Sequence, residues 1–340
     1  MVGDSRNRSW ESPKVEILRV WKADHPLSIL GIVFHVLKLR PDVVHFNVHF
    51  QSYGRSRITN FVGLLLAPVC RLLGFRVVAT VHNFGDMVDL EKVHVKPSLL
   101  NRLGIFVVTK LMLLLISRVV VTVRSYVDYL GMRYGRMGAI YIPHGTSVNK
   151  CLSIDPHERV ILMFGHMGPH KGLPIILKAF EELLKERDDV KLVVAGSSHP
   201  NFPGYMERFR REVTDRVKVE FLDYVREEDL ATVFGMADLV VLPYLAATGT
   251  SGVFHLACGY EKPVVASNLP EIREMVAEGA SALLVPPGDV EALKEAILTA
   301  LDNPSLLGEM GRRNLAYATQ ETWERVAEAY EAVYTKLLRA

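Results

Sequence analysis

Apolar positions along this chain of 340 residues follow two alternating patterns. Short, nearly unbroken runs rich in Val, Ile and Leu read as strands buried on both faces. Longer segments, with apolar residues recurring every three or four positions, read as helices laid against them. The alternation predicts parallel sheets with helices on both faces. In the first half strands are expected near 15–20, 43–46, 76–81, 119–123 and 139–142, with helices over 28–39 and 60–73. A largely apolar segment, 97–116, is expected to be a buried core helix, with monotopic contact, apolar side chains dipping into a leaflet beside basic ones, as the alternative. In the second half strands are expected near 160–164, 191–195, 217–221, 239–242, 264–266 and 282–285. The helices between and after them are placed at 173–186, 206–214, 227–234, 252–260, 272–278 and 290–302.

The organisation this suggests is 1–150 as a first Rossmann-like domain, 151–320 as a second, and 321–340 as a terminal helix crossing back to the first. Two doubly wound domains in tandem place a ligand crevice at their carboxyl strand ends. Two apolar stretches, 60–75 and 99–123, could pass for membrane spans. The first is short and interrupted by Pro68 and Arg71, the second by Arg102, Lys110 and Arg118, so neither is expected to cross a bilayer. The first thirteen residues are polar, irregular and unlike a signal peptide.

Composition changes little: 49% apolar and 23% charged residues are ordinary for a globular protein. Cys70, Cys151 and Cys258 are odd in number and far apart, which points to a reducing cytosol and no metal-ligand cluster. Charge is more informative. Residues 1–150 carry 20 Lys and Arg against 9 Asp and Glu, whereas the remainder carries 20 against 29. A basic first half suits an anionic partner, the plainer reading being a merely basic solvated surface. Without the aromatic interleaving of RNA binders, an anionic membrane surface at the inner face of the cell membrane, or a phosphorylated acceptor, fits better than nucleic acid.

Candidate chemistry concentrates in FGHMGPHKGL, 164–173, and its echo TGTSGVFHLA, 248–257. Each reads as a strand, a glycine-bearing loop and a helix, and a helix start attracts anions through unpaired N–H groups and its dipole. His166 and Lys171 add side-chain charge at the first corner, and Thr250, Ser251 and Gly252 add hydroxyls and open backbone at the second. Together they suit a diphosphate. The plainer reading makes Gly165 and Gly172 ordinary turn glycines. A Walker loop is excluded because His170 precedes Lys171 and Gly172 follows it, and no dinucleotide GxGxxG follows the first strand. His45 and His49 share a helical spacing, but with no third ligand nearby a metal site is not expected.

These pieces, with LVVAG at 192–196, ADLVVLPY at 237–244, TSGVFHLACGYEKPVVAS at 250–267, PEIREMV at 270–276 and LLVPPGD at 283–289, resemble the nucleotide-sugar domain of a family 4 glycosyltransferase of GT-B fold. PDVVHF at 41–46, VATVHN at 78–83 and IPHGTS at 142–147 are similar to the same family's first domain. The resemblance implies two Rossmann-like domains facing a crevice and a retaining sugar transfer from a nucleotide-diphosphate sugar to a hydroxyl of a glycan or lipid-linked acceptor. It implies no cofactor and no obligatory metal. Lys171 matches the family's diphosphate lysine, and His166 stands where an arginine is usual, a weaker and pH-dependent donor. Thr250, Ser251, Gly252 and Val253 would meet the same diphosphate. Backbone near Asp223 and Tyr224 would receive the base, and Glu274 matches an acidic position without an assignable role. His82 would face the donor sugar, its plainer reading being a hydrogen-bonded loop histidine, with Asn47 and Asn83 orienting sugar hydroxyls and His144 in a structural or interdomain turn.

Two departures stand out. The glutamates of the family's E-x7-E motif would fall at Thr248 and Leu256, neither acidic, which makes this a TSG-loop variant. The family's opening strand and glycine-rich loop also have no counterpart ahead of VEILRVWK. Both departures keep open a donor-binding but inactive or regulatory relative. A sugar-nucleotide epimerase of the same fold is a third reading, for which no convincing set of carboxylates is present.

Overall fold

The computed structural model of the protein describes residues 2–4, 15–49, 52–54, 56–84, 99–135, 138–150, 158–213, 218–247 and 249–340. The expected helix start at 97, the strand start at 217, Thr248 and Cys151 lie outside the described residues. The chain divides into two compact units, residues 1–143 with 328–340, and residues 144–327.

The first unit runs β1 (Val2–Asp4), β2 (Leu18–Trp21), α1 (Pro26–Leu39), β3 (Val43–Val48), α2 (Arg57–Leu72), β4 (Arg76–Val81), α3 (Leu99–Leu115), β5 (Arg118–Val121), α4 (Ser125–Tyr134) and β6 (Ile140–Tyr141). β3 to β6 form a parallel sheet in chain order. β1 and β2 pair in parallel separately, so the leader expected to be irregular contains a strand. β-branched residues fill β4 and β5, where Val77, Val78, Val119, Val120 and Val121 are wholly buried, as in a sheet covered on both faces. On β3, Val44, Phe46 and Val48 enter the core while His45 and Asn47 turn to the opposite face. There the chain's last segment returns: Tyr334 Oη lies 2.6 Å from His45 Nδ1, Thr80 Oγ1 is 2.8 Å from His45 Nε2, and Tyr330 Oη is 2.7 Å from Thr80 Oγ1.

α3 departs from the expected buried core helix. Val108, Met112 and Leu113 are buried, but Leu103, Val107, Leu111 and Leu114 are exposed. The helix lies against α2 with one side, and its apolar residues run all the way round, so the other side meets solvent. Among the described residues no helix is long and apolar enough to cross a membrane.

The second unit contains β7 (Arg159–Met167), α5 (Leu173–Leu183), β8 (Val190–Ser198), α6 (Tyr205–Glu212), β9 (Val219–Leu222), α7 (Leu230–Met236), β10 (Leu239–Leu242), α8 (Gly252–Gly259), β11 (Val264–Ser267), α9 (Pro270–Ala277), β12 (Leu283–Val285), α10 (Val290–Leu301) and α11 (Pro304–Ala318). α12 (Trp323–Arg339) closes the chain. The sheet order is β12-β11-β10-β7-β8-β9, all parallel. Strands are added outward from β7 on one side and then from β10 on the other, so the order reverses between these two. Ligand sites of open α/β sheets form at the carboxyl ends flanking such a reversal.

β7 is longer than expected. Its ladder with β8 continues past Phe164 through Gly165↔Gly196, His166↔Ser197 and Met167↔Ser198. Gly165 and His166 therefore sit on the strand, and the loop begins only at Gly168. Gly165 and Gly196 both have positive φ, and a Cβ on Gly196 would strike the Gly165 carbonyl oxygen. The two glycines let the strands stay paired where a side chain would end the ladder.

Candidate functional site

In the second unit the two glycine-bearing corners converge through a residue that belongs to neither. Met167 leads into Gly168 and a 3-10 turn, Pro169–Lys171. Gly172 follows in the left-handed region with φ of +73° and caps α5. Lys171 leaves this turn with its Nζ 3.8 Å from the centre of the Tyr244 ring. Tyr244, just beyond β10, is buried and places its hydroxyl 3.4 Å from Ser251 Oγ. Ser251 in turn caps α8 by accepting from Phe254 N–H at 3.2 Å. The strand side is equally close, since a Cβ on Gly165 would lie 3.2 Å from Val253 Cγ2. Lys171, Tyr244, Ser251 and the first turn of α8 thus form one connected group at the sheet's reversal.

The corners differ in what they offer an anion. Pro174, in the first turn of α5, has no N–H, which weakens that helix start as an anion site. Lys171 supplies the charge there. At α8, Gly252 and Val253 are the first two helical residues, whose amides point along the positive end of the helix dipole. A Cβ on Gly252 would lie 3.7 Å from His144 Nε2 and Cε1, so this turn is flanked by an imidazole.

Gly172→Ala is expected to destabilise the protein by at least about 2 kcal/mol in urea denaturation, because left-handed backbone is costly for a residue with a side chain. The new methyl would also run into the Pro243 carbonyl oxygen. An unchanged denaturation midpoint would show that this turn relaxes freely.

Histidines surround the group. His166 Nδ1 lies 3.0 Å from Ser197 Oγ. Its pKa is held below the ordinary value by partial desolvation and then by the Lys171 charge, so His166 is neutral near pH 7. Burial, then Lys171 and His199, pull His170 down to about 3. Behind α8, Thr250 Oγ1 lies 2.9 Å from His255 Nε2. His255 is 2% exposed, and burial followed by the His144 charge lowers its pKa to about 3. Its Nδ1 faces Glu321 Oε2 at 3.4 Å. A proton on Nδ1 is favoured by that carboxylate, leaving Nε2 to accept from the Thr250 hydroxyl. His144 stacks on His255 at 5.1 Å between ring centres and donates from Nδ1 to the Gly145 carbonyl at 2.7 Å.

Other candidates lie on or beside other elements. Asp223 and Tyr224 follow the edge strand β9; Asp223 Oδ1 receives Arg210 Nη2 at 2.7 Å, and Tyr224 is exposed. Glu274 is half-buried on α9, next to Met275, whose sulfur lies 3.8 Å from Thr250 Oγ1.

The first unit holds a second cluster, set by strand register. β3 pairs with β4 as Val43↔Arg76 through Val48↔Val81, so the residues that follow the two strands, His49 and His82, are neighbours. Their rings stack 4.5 Å apart and 9° from parallel. His82 Nε2 bonds Asn47 Oδ1, on the same face two positions back along the partner strand. Asn83 is buried at 5% exposure. Sequence reasoning missed Tyr244 and His255 as parts of a site and weighed His49 only as a metal ligand. Among the described residues no cluster of three metal-type ligands occurs.

Two parallel-sheet α/β units with these strand orders define the GT-B glycosyltransferase fold. Solved structures with this architecture include sucrose-phosphate synthase from Thermosynechococcus elongatus, with TM-score 0.79 and 20% identity over 99% of this chain and 87% of that one. Anabaena HepE in complex with UDP and glucose has TM-score 0.69 and 19% identity, covering 95% and 85%. Within that class, residues 158–303 match the family Glycosyl transferases group 1. Among curated relatives, D-inositol 3-phosphate glycosyltransferase of Segniliparus rotundus is 32% identical over 193 residues, 55% of this chain and 42% of the relative. Phosphatidyl-myo-inositol mannosyltransferase of Mycobacterium leprae is 28% identical over 205 residues, covering 58% and 53%. The chain spans about half the length of the curated relatives it matches.

Proposed function

We propose that the protein is a retaining glycosyltransferase that takes a sugar from a nucleotide-diphosphate donor and places it on a hydroxyl of a glycan or lipid-linked acceptor. The observation that carries this reading is the junction of the two corners, in which Lys171, Tyr244, Ser251 and the first turn of α8 form one group. As the bond between the anomeric carbon and the diphosphate oxygen breaks, negative charge grows on the leaving diphosphate. A fixed ammonium and the open amides of Gly252 and Val253 are suited to that charge. These groups take the place of a divalent ion, so no obligatory metal or other cofactor is proposed. The acceptor hydroxyl would attack the same face of the sugar and pass its proton to the departing diphosphate. His82 and Asn47, with Asn83 beside them, are proposed to orient sugar hydroxyls. HepE, a structural neighbour, was solved with UDP-glucose, which supports the donor class proposed here. We place the protein in the cytoplasm.

A thermal-shift screen against UDP, GDP and ADP and their sugar conjugates, without metal, tests the reading. A nucleotide at a hundred times its dissociation constant adds about 2.7 kcal/mol of stability. One nucleotide should raise the midpoint, and its sugar conjugate should then be consumed only with an acceptor present. No shift with any of them would sink the proposal. His166 supports a second reading: neutral near pH 7, it makes a weaker clamp than the family's arginine. A nucleotide shift without turnover on any acceptor would favour a donor-binding regulatory relative.

A further inference from the structure

The first unit presents an apolar face that its fold does not use. On α1, Leu27, Leu30, Phe34 and Leu37 are exposed, Leu27 at 83% and Phe34 at 62%. Their spacing of three and four residues makes one stripe, opposite the buried Ile29, Ile32 and Val36. On α2, Ile58, Phe61, Val69 and Leu72 repeat the pattern away from buried Leu66 and Cys70. On α3 the stripe is Leu103, Val107, Leu111 and Leu114. α1 lies against α2 and α2 against α3, so the three stripes are on neighbouring helices. Scattered exposed apolar residues are normal, but three adjacent stripes mark a surface built for contact.

The charges on these helices choose the occupant. α1, α2 and α3 contain no Asp or Glu, while Lys38, Arg71, Arg102 and Lys110 are exposed on them. Two copies of this face would bring cations against cations, which disfavours self-association. An anionic lipid leaflet satisfies both features, taking the apolar side chains below the headgroups and the cations among the phosphates. The geometry points to α1, α2 and α3 as a monotopic docking surface for an anionic leaflet. This surface stands on its own residues and is independent of the donor site in the second unit.

The test is co-sedimentation of the full chain with two kinds of vesicle, phosphatidylcholine alone and phosphatidylcholine with about one-third phosphatidylglycerol. The protein should bind the anionic vesicles, at least about tenfold more weakly without phosphatidylglycerol, and more weakly as salt rises. Arg102→Glu with Lys110→Glu should cost about tenfold or more on anionic vesicles. Phe34→Glu with Leu114→Glu should abolish binding. All four positions are exposed, so both variants should keep the wild-type thermal midpoint and the nucleotide-induced shift. Absence of vesicle binding, or variants that bind as wild type does, would overturn the proposal. So would a dimer that either variant dissolves, because the face would then be a contact between copies. A lost nucleotide shift with vesicle binding intact would count against the donor site and leave the docking surface standing.

Discussion

Lys171→Met is expected to lower turnover of the proposed nucleotide-sugar donor by two to three powers of ten, about 3–4 kcal/mol in barrier. Methionine keeps an unbranched stem of similar length and removes the ammonium that sits over the Tyr244 ring, so the charge is the main loss. The large effect comes from preorganisation. Tyr244 is buried beneath the ammonium and hydrogen-bonded to Ser251, so the cation's position does not depend on the ligand's arrival. A fixed charge avoids reorganisation at the moment of bond breaking. Thermal denaturation of the ligand-free variant should match wild type, while the nucleotide-induced shift largely disappears. A variant that retains the full shift would move the diphosphate elsewhere.

Acid should unfold the protein unusually early. His170 and His255 have folded-state pKa values near 3 against an ordinary 6.5, through burial and neighbouring positive charge. Below pH 6.5 the unfolded chain takes up protons that the folded chain refuses, so stability falls as pH falls, across a window from about 6.5 down to about 3. At pH 5 each contributes a loss of about 2 kcal/mol relative to neutral pH, about 4 kcal/mol together. His45, His49, His144 and His166, also lowered, act in the same direction. Urea denaturation at pH 7, 6 and 5 should show the decline, and His255→Gln should flatten it even if the variant is less stable at pH 7. A decline of about half that size would mean that Glu321, 3.4 Å from His255 Nδ1, keeps the His255 imidazolium inside the fold, and a flat profile would overturn the prediction for both histidines.

Much of the fold was legible because parallel strands covered on both faces leave unbroken apolar runs. β4 and β10 matched their expected bounds, at Arg76–Val81 and Leu239–Leu242. α11 was missed for a local reason. Asp302 ends α10, and Asn303 already caps the next helix by accepting from Leu306 N–H, with Pro304 opening it. A stop and a start that share two residues read as a single end. α4 was also missed, being short and carrying polar residues among its buried tyrosines. β7 was cut short because Gly165 reads as a loop residue until Gly196 is known to lie opposite.

Parts of the candidate site were legible one residue at a time, and their assembly was not. Lys171 and Ser251 stand out in their motifs, but Tyr244, which joins them, looks like the ordinary end of a strand. The His49–His82 stack depends on a register between β3 and β4 that no local pattern encodes. The exposure of α3 was hidden for a related reason. An apolar helix has the same composition whether its far side meets a core or a lipid leaflet, and only its neighbours distinguish the two.

The facing glycines of β7 and β8 also restrict how this corner can change over evolutionary time. A side chain on Gly196 drives into the Gly165 carbonyl, and one on Gly165 presses on Val253 in α8. A change at Gly196 alone would part the two strands, and one at Gly165 alone would strain its positive-φ backbone and push on the Val253 methyl in the first turn of α8. A lineage leaving this arrangement would have to change both strands and α8 together. Related chains should therefore either keep both glycines or show all three elements rebuilt, with few intermediates between.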